Sequence, residues 1–175
     1  MPLPAPLTSF VGRERELSEL TRLLGRTRLV SLTGTGGVGK PRLALAVAEE
    51  LDETFADGVV FVDLAPVVQP DAVVPAIART LGIRDDGVLP LVERLANVLH
   101  DRCLLRILDN FEHVVAAAPP VLGLLQAAHR VTALVTSRSA LRVRGEREFP
   151  VAPLACPDPT TTESLDSLLR YPANY

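Results

Sequence analysis

The chain has 175 residues, 47% of them hydrophobic, with few aromatics, no Trp and a formal net charge of −3. That length suits one domain with its own core, the hydrophobic content excludes wholesale disorder, and the charge balance gives no global electrostatic case for nucleic-acid binding. No apolar stretch reaches the roughly 18 residues that span a bilayer, and "MPLPAPLTSF" lacks the basic start and apolar run of a signal peptide, so a cytoplasmic chain without membrane contact is expected.

In chain order, residues 1–9 are Pro-rich and expected to be extended. "GRERELSELTRLLG" places Leu17, Leu20, Leu23 and Leu24 on one face of an amphipathic helix that ends at Gly25. "TRLVSLT" predicts a strand, and "PRLALAVAEEL" a helix after a glycine-rich loop. "DGVVFVDLAP" is a short apolar run bounded by turn residues, hence a buried strand. Helices are expected over 71–81 and 88–100, then a third strand in "CLLRILDN". Residues 112–130 read as helical, with Pro119-Pro120 breaking or restarting the helix. "VTALVTS" and "REFPVAPL" supply a fourth and a fifth strand, and the segment from Cys156 reads as a linker. Cys103 and Cys156 have neither CxxC nor zinc spacing and are expected to be reduced thiols. Strands alternating with helices predict an α/β fold with a mostly parallel sheet covered on both faces.

The chemistry concentrates after the first strand. Gly34-Thr35-Gly36-Gly37-Val38-Gly39-Lys40 matches GxxxxGK, with a strand before it and a helix after. Glycines let successive N–H groups turn inward as an anion nest, and the helix N-terminus adds positive partial charge. The 18 basic residues include a single lysine, Lys40. A compact ammonium on a flexible stem suits a phosphate inside a tight backbone cradle better than a guanidinium fork does. Candidate phosphate contacts therefore run from Gly34 to Lys40 and into the first helical turn, Pro41 and Arg42. Pro41 stands where such a loop ordinarily carries the Ser or Thr that binds magnesium.

"LLRILDN" ends an apolar strand in Asp109, which would hold magnesium through water at the C-terminal edge of the sheet. Asn110 follows where many hydrolytic relatives carry a second acid. Glu112 is either a general base or a partner of a helix dipole. Arg138, after the fourth strand, reads either as a γ-phosphate contact or as a solvated arginine beside Arg142, Arg144 and Arg147. Arg106 interrupts an apolar strand and must reach an edge or find a partner, or it costs stability. His100, His113 and His129 form no metal-spaced cluster.

Together, "SFVGREREL", "LTGTGGVGK", "VVFVDLAP", "ILDNFEHV" and "VTSRSALRVRGEREFPVAPL" resemble the nucleotide-binding domain of bacterial STAND ATPases. These are the AAA-related, NB-ARC-like modules of LuxR-type and AfsR/SARP-type transcriptional regulators. The resemblance covers 7–158. It implies a P-loop NTPase three-layer sandwich with five strands, adenine near Val11, Gly12 and Arg13, and Arg138 as the sensor arginine. It further implies ATP or ADP as ligand, slow hydrolysis that uses Lys40, Asp109 and Arg138, and Mg2+ on Asp109. Pro41 predicts that magnesium binding and turnover are weakened. The domain expectation is a nucleotide-binding unit over 10–155, then a linker and the start of a helical lid over 156–175. The alternative function is a non-hydrolysing nucleotide-binding or interaction remnant; a small P-loop kinase is disfavoured, since no acceptor motif is visible. Expected partners are the nucleotide and docking or self-association surfaces, with no direct DNA contact.

Overall fold

The computed structural model describes residues 12–153, so the readings for 1–9, for Val11 and for 156–175 lie outside the described residues. The described part of the chain opens with α1 (Glu14–Leu24), in which Leu20 and Leu24 are buried as the leucine spacing predicts. It continues through β1 (Leu29–Thr33), α2 (Lys40–Leu51), β2 (Val59–Asp63), α3 (Val73–Thr80) and α4 (Leu91–Leu99). β3 (Leu105–Asp109), α5 (Ala118–Ala127), β4 (Thr132–Ser137) and β5 (Arg147–Pro150) complete it.

Proline moves the boundaries that differ from the sequence reading. α4 begins at Leu91 rather than at 88, because Pro90 takes the cap position with ψ 133°. Pro119 and Pro120 do not break a helix. They occupy the first turn of α5, where a missing N–H has no intrahelical partner to lose. The stretch read as one helix over 112–130 is therefore two 3-10 turns, Phe111–His113 and Val115–Ala117, followed by a shorter α5.

All five strands are parallel, in the order β2-β3-β4-β1-β5. β1 is thus an inner strand, with Val30 opposite Leu134 on one side and Arg147 on the other. One face packs Val30, Leu32, Ile107 and Leu134 against Leu20 of α1 and Leu43 and Val47 of α2. The opposite face packs Leu108, Ala133 and Val135 against α3, α4 and α5 through Ile77, Leu95, Leu99, Val121 and Leu124. Apolar residues on both faces leave β1, β3 and β4 wholly buried, as a parallel sheet requires.

The crossover from β4 to β5, residues 138–146, contains no helix. It is held from within: the Glu146 carboxylate accepts N–H bonds from Leu141 at 2.8 Å and Arg142 at 2.7 Å. Arg106 takes the costly alternative. It neither reaches an edge nor pairs, but lies 1% exposed between Val60 and Ala133. Its Nε and Nη2 have no hydrogen-bond partner among the described residues, and burial pulls the guanidinium down to about 10.

Candidate functional site

The C-terminal edge of β1 opens into the glycine loop, and the loop is fixed from three directions. Gly34 has φ 150°, and a Cβ there would lie 2.6 Å from the carbonyl oxygen of Val151, so only glycine fits. The Val151 N–H in turn donates to the Thr33 carbonyl at 2.7 Å, and the Thr33 hydroxyl donates to Glu148 at 2.7 Å. Gly37 and Gly39, at φ 82° and 85°, differ: a Cβ on either meets nothing within 4 Å. What they supply is the left-handed backbone from which an anion nest can be built.

Arg13 is the third anchor. Buried just before α1, it donates through Nη2 to the carbonyls of Val38 at 2.9 Å and Ala152 at 2.7 Å, and Nη1 lies 3.3 Å from Glu16. Its guanidinium therefore ties the phosphate loop to α1 and to the chain leaving β5. Gly12 lies exposed beside it.

Gly39 caps α2, and the Leu43 N–H donates to its carbonyl. Lys40 is the first helical residue, buried, with Nζ donating to the Gly34 carbonyl at 2.8 Å and the Thr35 carbonyl at 2.9 Å. The first turn of α2 contains no acid to offset this cation, in contrast to α1, which begins with Glu14 and Glu16. Pro41 is accommodated in that turn and adds neither a hydroxyl nor an N–H. Arg42 follows in the same turn, half-buried.

β4 separates β1 from β3, so Asp109 stands two strands from the loop on the same edge, about 10 Å away at ordinary strand spacing. Thr136 of β4 bridges the gap: its hydroxyl donates to Asp109 and accepts the Asn110 N–H at 3.1 Å. Asn110, in the left-handed region at φ 60°, turns its Nδ2 toward Asp109 at 3.2 Å and Asp63 at 3.4 Å. Asp63 is the register partner of Asp109 on β2. Burial pushes the Asp109 carboxyl up from its usual range, opposed by the Thr136 hydroxyl and reinforced by the charges of Asp63 and Glu112.

Arg138 leaves β4 toward the loop. Its Nη2 lies 3.8 Å from where a Cβ on Gly36 would sit, and its Nε pairs with Glu112 at 3.3 Å. The structure thus brings Lys40 and Arg138 to the glycine loop and sets Asp109 two strands along the edge. The Glu112–Arg138 pair is the contact beside the loop that sequence reasoning missed. Nothing in the spacing of the two residues marks it. The histidines stay apart from the site: His113 bonds the Leu64 and Val67 carbonyls, and His100 packs edge-on against His129. Among the described residues, no three or more His, Cys, Asp or Glu side chains group as a metal site. A cleft of about 640 Å³ at the opposite edge of the sheet, near Arg28, Leu125 and Arg147, shares none of the loop.

A parallel sheet with this loop on an inner strand, a lysine starting the next helix and an acid at a nearby strand end define a P-loop NTPase domain. The chain belongs to the AAA ATPase domain family, which it matches over residues 9–152. It is 39% identical over 150 residues to an uncharacterized protein of Mycobacterium tuberculosis, a match covering 85% of this chain and 38% of that protein. A putative HTH-type transcriptional regulator of the same organism is 39% identical over 137 residues, and the regulatory protein AfsR of Streptomyces coelicolor 35% over 154. Both matches cover 78% of this chain, which spans only 15% of either protein. In fold, the chain resembles a STAND protein with a tetratricopeptide repeat sensor from Pyrococcus horikoshii. The TM-score is 0.54 at 16% identity, over 83% of this chain and 24% of that one. The resemblance to AfsR-type regulators, read from the sequence, is thereby shown, and the likeness to the STAND protein is one of fold. No helix among the described residues is long and apolar enough to cross a membrane.

Proposed function

We propose that this domain binds ADP and ATP as the nucleotide module of a regulator and turns ATP over at or near the background rate. The observation that carries the reading is the loop itself. Gly37 and Gly39 hold the left-handed backbone from which an anion nest is built, with open space beside them, and a cation with no acid in its helical turn starts the helix behind them. A diphosphate fits that cradle, with Lys40 exchanging its two carbonyl partners for phosphate oxygens. Arg138, beside Gly36, would contact a third phosphate. Val11, Gly12 and Arg13 would border the base, with Arg13 acting through its hold on the loop. The names of the relatives support a regulatory rather than a metabolic setting, and we assign the domain itself no direct contact with DNA.

Magnesium fits this site less well than phosphate does. When bound, it would neutralise charge on the phosphates. Asp109 and Asp63 are the carboxylates that end β3 and β2, Asp109 is already engaged by Thr136 and Asn110, Glu112 is paired with Arg138, and position 41 offers no hydroxyl. We derive no hydrolytic step through it.

Calorimetric titration of ADP and ATP, with and without magnesium, tests the reading. ADP affinity should change little with the metal, and phosphate release from ATP should stay near background. Pro41→Thr restores a hydroxyl and an N–H. Because a hydrogen bond to a charged group is worth roughly 1.5–3 kcal/mol, magnesium-dependent ATP affinity should rise about ten- to a hundredfold, with slow hydrolysis. Turnover by the native chain equal to that of the Thr variant would show that Pro41 is not limiting.

A further inference from the structure

We propose that Glu112 sets the preference between nucleoside triphosphate and diphosphate by competing with the γ-phosphate for Arg138. This rests on the reading above, in which Arg138 meets the third phosphate. The guanidinium is already placed for both partners, with Nη2 against Gly36 of the loop and Nε 3.3 Å from Glu112 Oε1. Glu112 is held in position by its neighbours. Phe111 is fully buried, and His113 is fixed by two carbonyls across the 3-10 turn. The pairing uses one carboxylate oxygen only, while Oε2 is buried with no partner among the described residues.

A one-pronged pair whose arginine side chain is 70% exposed is weak enough to exchange. A terminal phosphate beside Gly36 offers several acceptor oxygens and more charge than Glu112 does, so Arg138 transfers to it. A diphosphate has nothing at that position and leaves the pair intact. Every triphosphate that binds must therefore break the Glu112–Arg138 contact, and the carboxylate left behind stands near Asp109 and Asp63. Glu112 acts through Arg138 and is a positioning residue that discriminates against ATP.

The test titrates a non-hydrolysable ATP analogue and ADP into the full chain, its Glu112→Gln, Glu112→Asp and Arg138→Ala variants, and the Glu112→Gln/Arg138→Ala double variant. Glu112→Gln should tighten the analogue about two- to fivefold, the span of an exposed ion pair, and leave ADP unchanged. Glu112→Asp keeps the charge but shortens its reach, and should also tighten the analogue selectively. In the Arg138→Ala background, Glu112→Gln should do nothing. No gain, an equal gain for both nucleotides, or a gain that persists without Arg138 overturns the proposal. Arg138→Ala alone reports on the underlying reading: selective loss of the analogue keeps that reading even if the Glu112 variants are silent. Equal loss of both nucleotides, or of neither, removes it.

Discussion

Lys40 and Arg106 are both buried cations, 6% and 1% exposed, and the fold treats them in opposite ways. Lys40 stands where α2 begins, a place that disfavours positive charge, and answers to two loop carbonyls. Arg106 stands in the middle of β3 with an apolar layer over it and two nitrogens without partners among the described residues. One region concentrates unfavourable positive charge at an opening where an anion can relieve it. The other holds a charge in the core, and nothing in the structure explains it. A buried charge thus speaks for function when its surroundings also provide a cradle for the opposite charge, and burial alone does not.

The sharpest way to break the comparison is Lys40→Ala. Nucleotide affinity should fall about a hundredfold or more, since charge-assisted bonds to the phosphates disappear. The unfolding midpoint should barely move, because the loop backbone rests on Val151, Thr33 and Arg13. Titration beside thermal unfolding checks both halves, and unchanged ADP affinity would remove the phosphate site.

Arg106→Met should do the reverse, raising stability by roughly 1–4 kcal/mol in urea denaturation with nucleotide affinity unaltered. A loss of stability instead would mean that the packing of the arginine side chain outweighs the cost of burying its charge.

The smallest expected effect concerns Asp109. Burial raises its folded carboxyl above the unfolded value of 3.8, so its stabilising contribution is fully present below that value and lost as pH rises through the folded one. Asp109→Asn should accordingly be modestly more stable than the native chain at neutral pH, with the gap closing on acidification toward pH 4. A pH series of urea melts reads this directly. A gap of constant size would place the raised carboxyl elsewhere.

The strands, the loop and α2 were legible because their signals are local: apolar runs bounded by turn residues, glycines at fixed offsets, and a lysine where every other basic residue is Arg. Pro119-Pro120 were legible as punctuation but not in sign, because a proline pair suits the start of a helix as well as it spoils the middle. What stayed hidden is what register decides. Thr136 reaches Asp109 only because β4 lies between β1 and β3. Arg13 serves the loop through contacts made 25 and 139 residues away, at Val38 and Ala152. Glu112 and Arg138 meet only once both strand ends share an edge.

The strand order also fixes when the site can exist. β1 is the first strand to be synthesised, yet its neighbours are β4 and β5, the last two. During translation, the strand that carries the loop must wait, unpaired along both edges, until nearly the whole domain has emerged. Contacts so distant in sequence form late, since the intervening chain must first be closed into a loop. The β2-β3 pair, with Val59 opposite Leu105, closes a shorter stretch of chain and can be in place earlier. The nucleotide cradle is therefore the last part of the domain to assemble, and a nascent chain halted before β4 would display an apolar strand with no sheet to join.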